Sequence, residues 1–217
     1  KMKKMLFIIV IFVVTFYIYF LNINKKTYYL SLGDYLSYGI NNFKKVENSY
    51  SNNLFDLYKN NLENYVNYST IDDYRVMDLI NDINYNKDVS YNNKNYKLQN
   101  LLIKSNVITI SIGMNDLIYM SENIDYEYVD DLLYDIEDLL NTIRKYNKDK
   151  VYFLGFYNII NNENIIEYAN KKLSSICEKH DIYFIDISNL DTYINKSKYP
   201  TNDGYVYITD QIINFTK

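Results

Sequence analysis

Short apolar runs and helical stripes alternate along most of the chain. Five runs predict strands, the third being rich in β-branched residues: residues 28–32, 63–68, 107–112, 151–154 and 182–187. Between them, apolar residues recur at intervals of three and four, which predicts helices. The helical segments are 53–62, the stripe Val76, Leu79, Ile80 and Ile83, the stripe from Val129 to Ile143, 165–180 and 205–215. Residues 86–100 show no clear period and are predicted to form a hairpin or a loop. This alternation predicts an α/β fold, a three-layer sandwich with a parallel five-stranded sheet flanked by helices.

The first 21 residues form a separate segment. Lys1, Lys3 and Lys4 precede an apolar run from Met5 to Leu21, long enough to cross a membrane as a helix. Bulky residues end the run where a signal peptidase would need small ones, so an uncleaved transmembrane anchor is favoured over a removed signal segment. The flanking lysines favour a cytoplasmic N-terminus, which predicts a membrane-anchored, extracytoplasmic domain, or a secreted one if the segment is cleaved. We therefore divide the chain into an anchor or signal segment (1–21), a short linker (22–27) and one domain (28–217).

Composition limits the classes of partner. The chain has 217 residues and 48% hydrophobic content, enough for one sizeable core. It carries 23 Lys and Arg against 27 Asp and Glu, and this acidic balance disfavours nucleic acid as a partner. Cys177 is its single cysteine, so no internal disulfide can form.

In a parallel sheet, ligands bind where the strands end, and four segments at such positions carry a known pattern. They are Gly33-Asp34-Tyr35-Leu36-Ser37-Tyr38-Gly39, residues 71–79, Gly113-Met114-Asn115-Asp116, and Tyr199-Pro200 followed by Asp203-Gly204-Tyr205. Taken in order, they resemble the sequence blocks of the SGNH (GDSL) hydrolase family over nearly all of the chain after residue 27. The resemblance implies the flavodoxin-like fold of that family, esterase or lipase chemistry and no cofactor.

The family's chemistry requires a serine nucleophile, a histidine base, an aspartate before that histidine, and an oxyanion hole. By resemblance, the nucleophile position holds Tyr35, the histidine position holds Tyr199, and the aspartate position holds Lys196 or, with a one-residue shift, Ser197. Loss of the nucleophile or the base typically costs about 10⁶ in turnover. The resemblance thus implies that no catalytic triad is intact.

The remaining family positions are partly preserved. The oxyanion-hole positions hold Asp73, Gly113 and Asn115, where Asp73 replaces a glycine and its charge would oppose a developing oxyanion. Gly33, Asp34 and Asp116 match residues that support the motif loops.

Other nucleophile and base candidates have structural interpretations. Ser37 occupies a position that is commonly small in the family. His180 lies at the end of the predicted helix 165–180, where it suits an exposed C-terminal cation. Cys177 shares a helix face with Leu173 and Ile176 and is predicted to be a buried core thiol.

Three functions remain open. The favoured one is a catalytically degenerate pseudo-esterase of the cell envelope that acts by binding an acyl or glycan ligand or a protein partner. The alternative is an active ester hydrolase or acyl transferase with a rewired site, in which Tyr35 is assisted by Asp73 or Lys196. A further alternative is a Ca²⁺ or Mg²⁺ site built from Asp34, Asp73 and Asp116, because carboxylate oxygens suit these ions.

Overall fold

The computed structural model describes residues 10–16, 26–41, 44–71 and 73–215. Residues 10–16 form a helix, α1, with exposed apolar side chains. Among the described residues, no helix is both long and apolar enough to span a membrane. The other residues of the predicted anchor or signal segment, and all of the predicted linker except residues 26 and 27, lie outside the described part of the chain.

One parallel sheet forms the centre of the domain. Its strands are β1 (Thr27–Gly33), β4 (Leu62–Ser69), β7 (Val107–Ser111), β8 (Lys150–Leu154) and β9 (Tyr183–Ile185). They lie in the order β4-β1-β7-β8-β9, and every neighbouring pair is parallel. The predicted five-stranded parallel sheet is confirmed.

Helices cover both faces of this sheet. They are α2 (Tyr35–Tyr38), α3 (Tyr50–Tyr58), α4 (Val76–Asn84), α5 (Leu98–Lys104), α6 (Met114–Tyr119), α7 (Tyr126–Tyr146), α8 (Glu163–Lys179) and α9 (Asn202–Asn214). The chain moves from β1 outward to β4, then back across β1 to β7, β8 and β9. Right-handed crossovers therefore put α3 on the face opposite to α4, α7 and α8. Contacts agree with this division, since α3 packs against α9 while α4, α5 and α8 pack against α7.

The predicted helix stripes form the core. All four apolar residues of the α4 stripe are buried, and so are Val129, Ile143 and the apolar residues of the stripe between them on α7. On α8, Leu173 and Cys177 are buried, whereas Ile176 lies at the edge of the core. Burial of a single face thus produces the periodicity found in the sequence.

The limits of α3 and β9 differ from the prediction for identifiable reasons. Helix α3 begins at Tyr50, three residues earlier than predicted, because the Ser49 hydroxyl accepts the Asn52 N–H at 3.3 Å and caps the helix. It ends at Tyr58 because Leu62 already pairs with Thr27 in the sheet. Strand β9 is shorter than the predicted segment 182–187, since the Asp186 carboxylate accepts the Ser188 N–H and turns the chain into a 3₁₀ helix, Ser188–Tyr193.

The segment 86–100 contains the predicted hairpin. Strands β5 (Asp88–Tyr91) and β6 (Lys94–Lys97) pair antiparallel around Asn92 and Asn93, which both have positive φ, as a two-residue turn of this kind requires. A second small ribbon joins β2 (Ile40–Asn41) and β3 (Lys44–Lys45). This ribbon and helix α5 were absent from the prediction.

Candidate active site

Three loops leave the carboxyl edge of the sheet side by side. Gly33, the last residue of β1, pairs with Ser69 of β4 on one side and with Ser111 of β7 on the other. A Cβ added at Gly33 would lie 1.8 Å from the Ser111 carbonyl oxygen, and φ at Gly33 is +134°. Only glycine fits this close approach of the two backbones. The first three motif segments therefore meet at one edge, as expected for parallel strands.

Tyr35 lies at the start of α2 and is directed into the protein. Its side chain is 4% exposed, and its hydroxyl lies 2.9 Å from the Tyr157 hydroxyl. Tyr157 donates its own proton to the Lys198 carbonyl oxygen at 2.8 Å, so in the Tyr35–Tyr157 pair Tyr35 is the donor. Burial, followed by the charge and hydrogen bond of Tyr157, raises the pKa of Tyr35 well above its ordinary value. The phenol at the predicted nucleophile position is held in its protonated form.

Tyr199 closes this region from the other side. Its ring packs edge-on against the ring of Tyr35, with centroids 5.5 Å apart. We call Tyr35, Tyr157 and Tyr199 the tyrosine cluster. Lys196 and Ser197, the two candidates for the aspartate position, lie exposed in the turn before Tyr199. That turn is closed by Asn195, whose side-chain oxygen accepts the N–H groups of Ser197 and Tyr199.

The residues of the third motif segment support the neighbouring loop. Gly113 has φ +99° and precedes α6. Asn115 donates its side-chain amide to the Tyr74 carbonyl oxygen at 2.9 Å. Asp116 accepts the Val76 N–H at 3.3 Å. Both contacts fix the loop between β4 and α4.

Asp73 lies in that same loop with an exposed carboxylate. Its two oxygens accept Nε and Nη2 of Arg75 at 3.0 and 2.5 Å. The Arg75 guanidinium also lies 3.7 Å from the centroid of the Tyr119 ring. The negative charge predicted at the oxyanion position is therefore matched by a cation two residues away.

Solved structures share this architecture, although no family model and no curated protein matches the chain. An extracellular lipase from Streptomyces rimosus is similar with a TM-score of 0.62 and 14% identity, over 88% of this chain and 100% of the lipase. A catalytic mutant of an acetylxylan esterase from Geobacillus stearothermophilus is similar with a TM-score of 0.62 and 14% identity, over 86% and 92%. A member of the lipolytic G-D-S-L family from Veillonella parvula is similar with a TM-score of 0.61 and 13% identity, over 87% and 98%.

The chain has the SGNH hydrolase fold. This confirms the fold that the four sequence blocks implied. Within the SGNH fold the first three motif segments converge at the ends of β1, β4 and β7, and Tyr199 of the fourth segment contacts Tyr35 of the first. The likeness concerns the fold, and the assignment of individual residues to catalytic positions stays a prediction.

Two carboxyl groups inside this SGNH fold have unusual titration. Asp34 is fully buried; its Oδ1 accepts the Leu36 N–H and the Ser111 hydroxyl, both at 3.1 Å. Burial raises the pKa of Asp34 to about 7, although these hydrogen bonds oppose the rise. Burial likewise raises the pKa of Asp116 to about 6, against the opposing effects of the Val76 N–H and Arg75.

The described part of the chain gives the cation alternative no support. Asp34 is buried in its own loop, Asp73 is paired with Arg75 and Asp116 accepts a backbone N–H, so the three carboxylates are engaged separately. Within the described ranges, no group of three His, Cys, Asp or Glu side chains could hold a metal ion.

The other candidates are structural. The Ser37 hydroxyl donates to the Leu32 carbonyl oxygen at 2.8 Å and contacts the Tyr50 and Ser111 hydroxyls. His180 does end α8, but the prediction that it is exposed is wrong, because its side chain is 11% exposed and lies 3.2 Å from Glu137. Cys177 is buried, and burial raises the pKa of its thiol to about 12, which confirms an inert core thiol.

Two residues of this region, Tyr157 and Arg75, were not predicted as site residues. Tyr157 follows β8 by three residues, at the end of a strand where a ligand site was expected, yet it is one of 27 tyrosines and no motif marks it. Arg75 lies inside the second motif segment, so its charge next to Asp73 was an available signal.

Proposed function

We propose that this protein is a non-hydrolytic member of the SGNH fold that acts by binding. The supporting observation is the buried hydrogen bond between Tyr35 and Tyr157. At an ordinary pKa near 10, only about one phenol in a thousand is ionised at pH 7, and the pKa of Tyr35 is raised further. A buried, protonated phenol that donates its proton to another hydroxyl is a poor nucleophile.

Among the described residues, no carboxylate or amine is hydrogen-bonded to the Tyr35 hydroxyl to serve the rewired-hydrolase alternative as a base. Asp73 is committed to Arg75, Lys196 is exposed in its turn, and the group that contacts the Tyr35 hydroxyl is another phenol. A phenol is a weak general base at neutral pH. These contacts favour binding of an acyl or glycan ligand, or of a protein partner, over ester cleavage.

Hydrolysis of a short-chain aryl ester by the full chain tests this function. We expect turnover at the background rate for the native protein and for Tyr35→Phe, which keeps the ring and removes the hydroxyl. A variant with Tyr35→Ser, Lys196→Asp and Tyr199→His restores the residue types of the triad and is the matched positive control. Native turnover that Tyr35→Phe abolishes would overturn the proposal, as would covalent labelling of Tyr35 by a fluorophosphonate ester.

We also propose a location at the cell envelope, with the domain outside the cytoplasm. The support is the apolar run from Met5 to Leu21 behind three lysines, together with the exposed apolar side chains of α1. Mass spectrometry of the mature N-terminus checks this proposal in the source cell. A mature chain that starts near residue 22 and is recovered outside the membrane fraction would contradict the anchor and indicate secretion.

A further inference from the structure

An open cleft lies beside the edge strand β4, whose neighbour in the sheet, β1, leads to Tyr35. Its volume is about 520 Å³, within the usual range for small-molecule sites. The end of β4, the loop that follows it, and helix α4 with its following turn form the walls. We call it the Tyr68 cleft, after the residue at the end of β4. Of the candidate site residues, only Asp73 lines it.

Two tyrosines give the cleft aromatic walls with fixed hydroxyls. The rings of Tyr68 and Tyr74 are half-buried and edge-on, with centroids 6.3 Å apart. Both hydroxyls donate to the same oxygen of Asp82, Tyr68 at 2.5 Å and Tyr74 at 2.6 Å. Since each hydroxyl already donates its proton to Asp82, each can act only as an acceptor toward a ligand.

Charges in the cleft are largely matched within the protein. The Lys87 ammonium contacts the same Asp82 oxygen at 2.9 Å, and it lies 6.0 Å from the centre of the Tyr68 ring, where a ligand cation would otherwise bind. Asp73 is paired with Arg75, and Asp78 accepts the Arg75 N–H at the start of α4. Asp78 lies in the first turn of α4, where the positive end of the helix partly offsets its charge. The cleft therefore has only a small net negative charge with which to attract a strongly charged ligand.

We propose that the Tyr68 cleft binds a neutral saccharide. Aromatic ring faces can pack against the C–H faces of a sugar, while fixed phenol oxygens, carboxylate oxygens and the Asn81 amide can exchange hydrogen bonds with its hydroxyls. A lipid acyl chain would leave these polar groups without partners, which is costly. This proposal rests on the binding function proposed above and adds a site and a ligand class to it. Its failure can be distinguished from failure of the proposed function, because saccharide binding and ester hydrolysis are measured independently.

Calorimetric titration of the full chain tests the ligand class. The probes are three neutral tetrasaccharides, namely those of xylose, glucose and N-acetylglucosamine, with tetragalacturonate and spermidine as the anionic and cationic comparators. We expect saturable binding of at least one neutral probe with a Kd of about 1 mM or tighter. Both charged probes should bind at least tenfold more weakly. Absence of saturation with all three neutral probes, or tighter binding of a charged probe, would overturn the proposal.

Variants locate the binding. Tyr74→Ala removes one aromatic wall and should weaken the bound tetrasaccharide at least tenfold. Tyr85→Ala is the matched control, because Tyr85 is 83% exposed at the end of α4 and does not line the cleft. It should change the Kd less than twofold. Equal losses in both variants would contradict binding in the cleft.

Lys87→Met gives a second readout that does not depend on removing a packed ring. Lys87 is half-exposed, so the variant should fold, and it leaves the Asp82 carboxylate without its cation. We expect spermidine to bind at least fivefold more tightly than to the native protein, with weaker binding of the neutral tetrasaccharide. An unchanged preference between these two probes would show that matched charge does not set the specificity, and would overturn the assignment.

Discussion

The tyrosine cluster and the Tyr68 cleft both lie at the carboxyl edge of one sheet, yet their hydroxyl groups donate to different kinds of acceptor. In the cluster, the chain of hydroxyls from Tyr35 through Tyr157 ends on the Lys198 carbonyl oxygen, and the rings fill the space. In the cleft, the hydroxyls of Tyr68 and Tyr74 end on the ionised Asp82 beside Lys87, and the rings face an open volume. The final acceptor distinguishes them: a neutral backbone oxygen suits a closed region, whereas a carboxylate requires access to solvent or a cation.

The largest expected loss of stability comes from a substitution that disturbs the sheet beneath both regions. Gly33→Ala puts a Cβ against the Ser111 backbone at a positive φ, on the strand that leads to Tyr35 and pairs with β4. We expect a loss in the free energy of unfolding of roughly 5 kcal/mol or more, which belongs to the exceptional class of backbone clashes. Urea denaturation measures it. Ser69→Ala, opposite Gly33 on β4, is the control and should cost about 1 kcal/mol or less. Similar losses in the two variants would contradict the close approach of β1 and β7.

Removing one ring from each region tests whether the tyrosine cluster is closed and the Tyr68 cleft is open, through the cost in stability. Tyr35→Ala deletes a buried aromatic side chain and should cost about 4 kcal/mol. Tyr74→Ala removes a half-buried ring from the wall of a cleft that solvent already enters, and should cost about half as much. Urea denaturation at constant pH compares them. If Tyr74→Ala were the more costly change, the distinction between a closed cluster and an open cleft would be wrong.

The pH dependence of stability should have opposite signs for two carboxyl groups, that of Asp34 next to Tyr35 in the chain and that of Asp82 in the Tyr68 cleft. The pKa of Asp34 is about 7 in the folded protein and near 4 when unfolded, so the folded state holds its proton more tightly. The contribution of Asp34 is fully present below about pH 4 and is lost as the pH rises through about 7, by roughly 4 kcal/mol at most. Asp34→Asn should flatten the unfolding free energy over this window in urea titrations.

For Asp82 we expect the opposite sign, a free energy of unfolding that rises with pH. Burial raises its pKa, but the hydrogen bonds from Tyr68, Tyr74 and Lys87 outweigh burial and leave the pKa of Asp82 lowered. Its contribution is therefore present above the unfolded pKa near 4 and is lost as the pH falls through the lower folded value. Asp82→Asn should reduce the loss of stability in acid and leave the slope between pH 4 and 7 unchanged. A native slope of the same sign throughout, unaffected by either variant, would contradict both assignments.

The smallest expected losses of stability come from removing single hydroxyl groups. Tyr68→Phe removes a hydrogen bond to a charged acceptor and should cost about 2 kcal/mol, whereas Tyr35→Phe removes a bond between two neutral hydroxyls and should cost about 1 kcal/mol. Thermal unfolding at pH 7 checks the order of the two values. A reversed order would mean that the Asp82 carboxylate is satisfied by Tyr74 and Lys87 alone.

Much of this fold follows from the sequence because burial imposes a period. The apolar stripe on α7 and most of the β-branched run of β7 are buried, and both elements were predicted close to their observed limits. Helix α5 was missed because it has seven residues, too few for two turns of a stripe to stand out. Strand β9 was predicted too long because the turn at Asp186 depends on a side-chain hydrogen bond rather than on hydrophobicity.

The candidate site was only partly predictable for a related reason. Its loops were found because their glycines and Asn115 follow a family pattern at the ends of strands. The partners of its polar groups depend on how distant segments meet, and Tyr157 reaches Tyr35 across 122 residues of chain. The pairing of Asp73 with Arg75 lies in an extended loop, where the three- and four-residue spacing rule for helical ion pairs does not apply.

The parallel sheet also fixes the direction in which the domain presents these regions. Residue 26 enters β1 at the amino edge, where its carbonyl oxygen accepts the Asn106 amide, and the seven residues of β1 carry the chain roughly 23 Å to the opposite edge. Residue 26 therefore lies at the opposite end of the sheet from both the tyrosine cluster and the Tyr68 cleft. The described chain thus enters the domain at one edge of the sheet and presents both regions at the other.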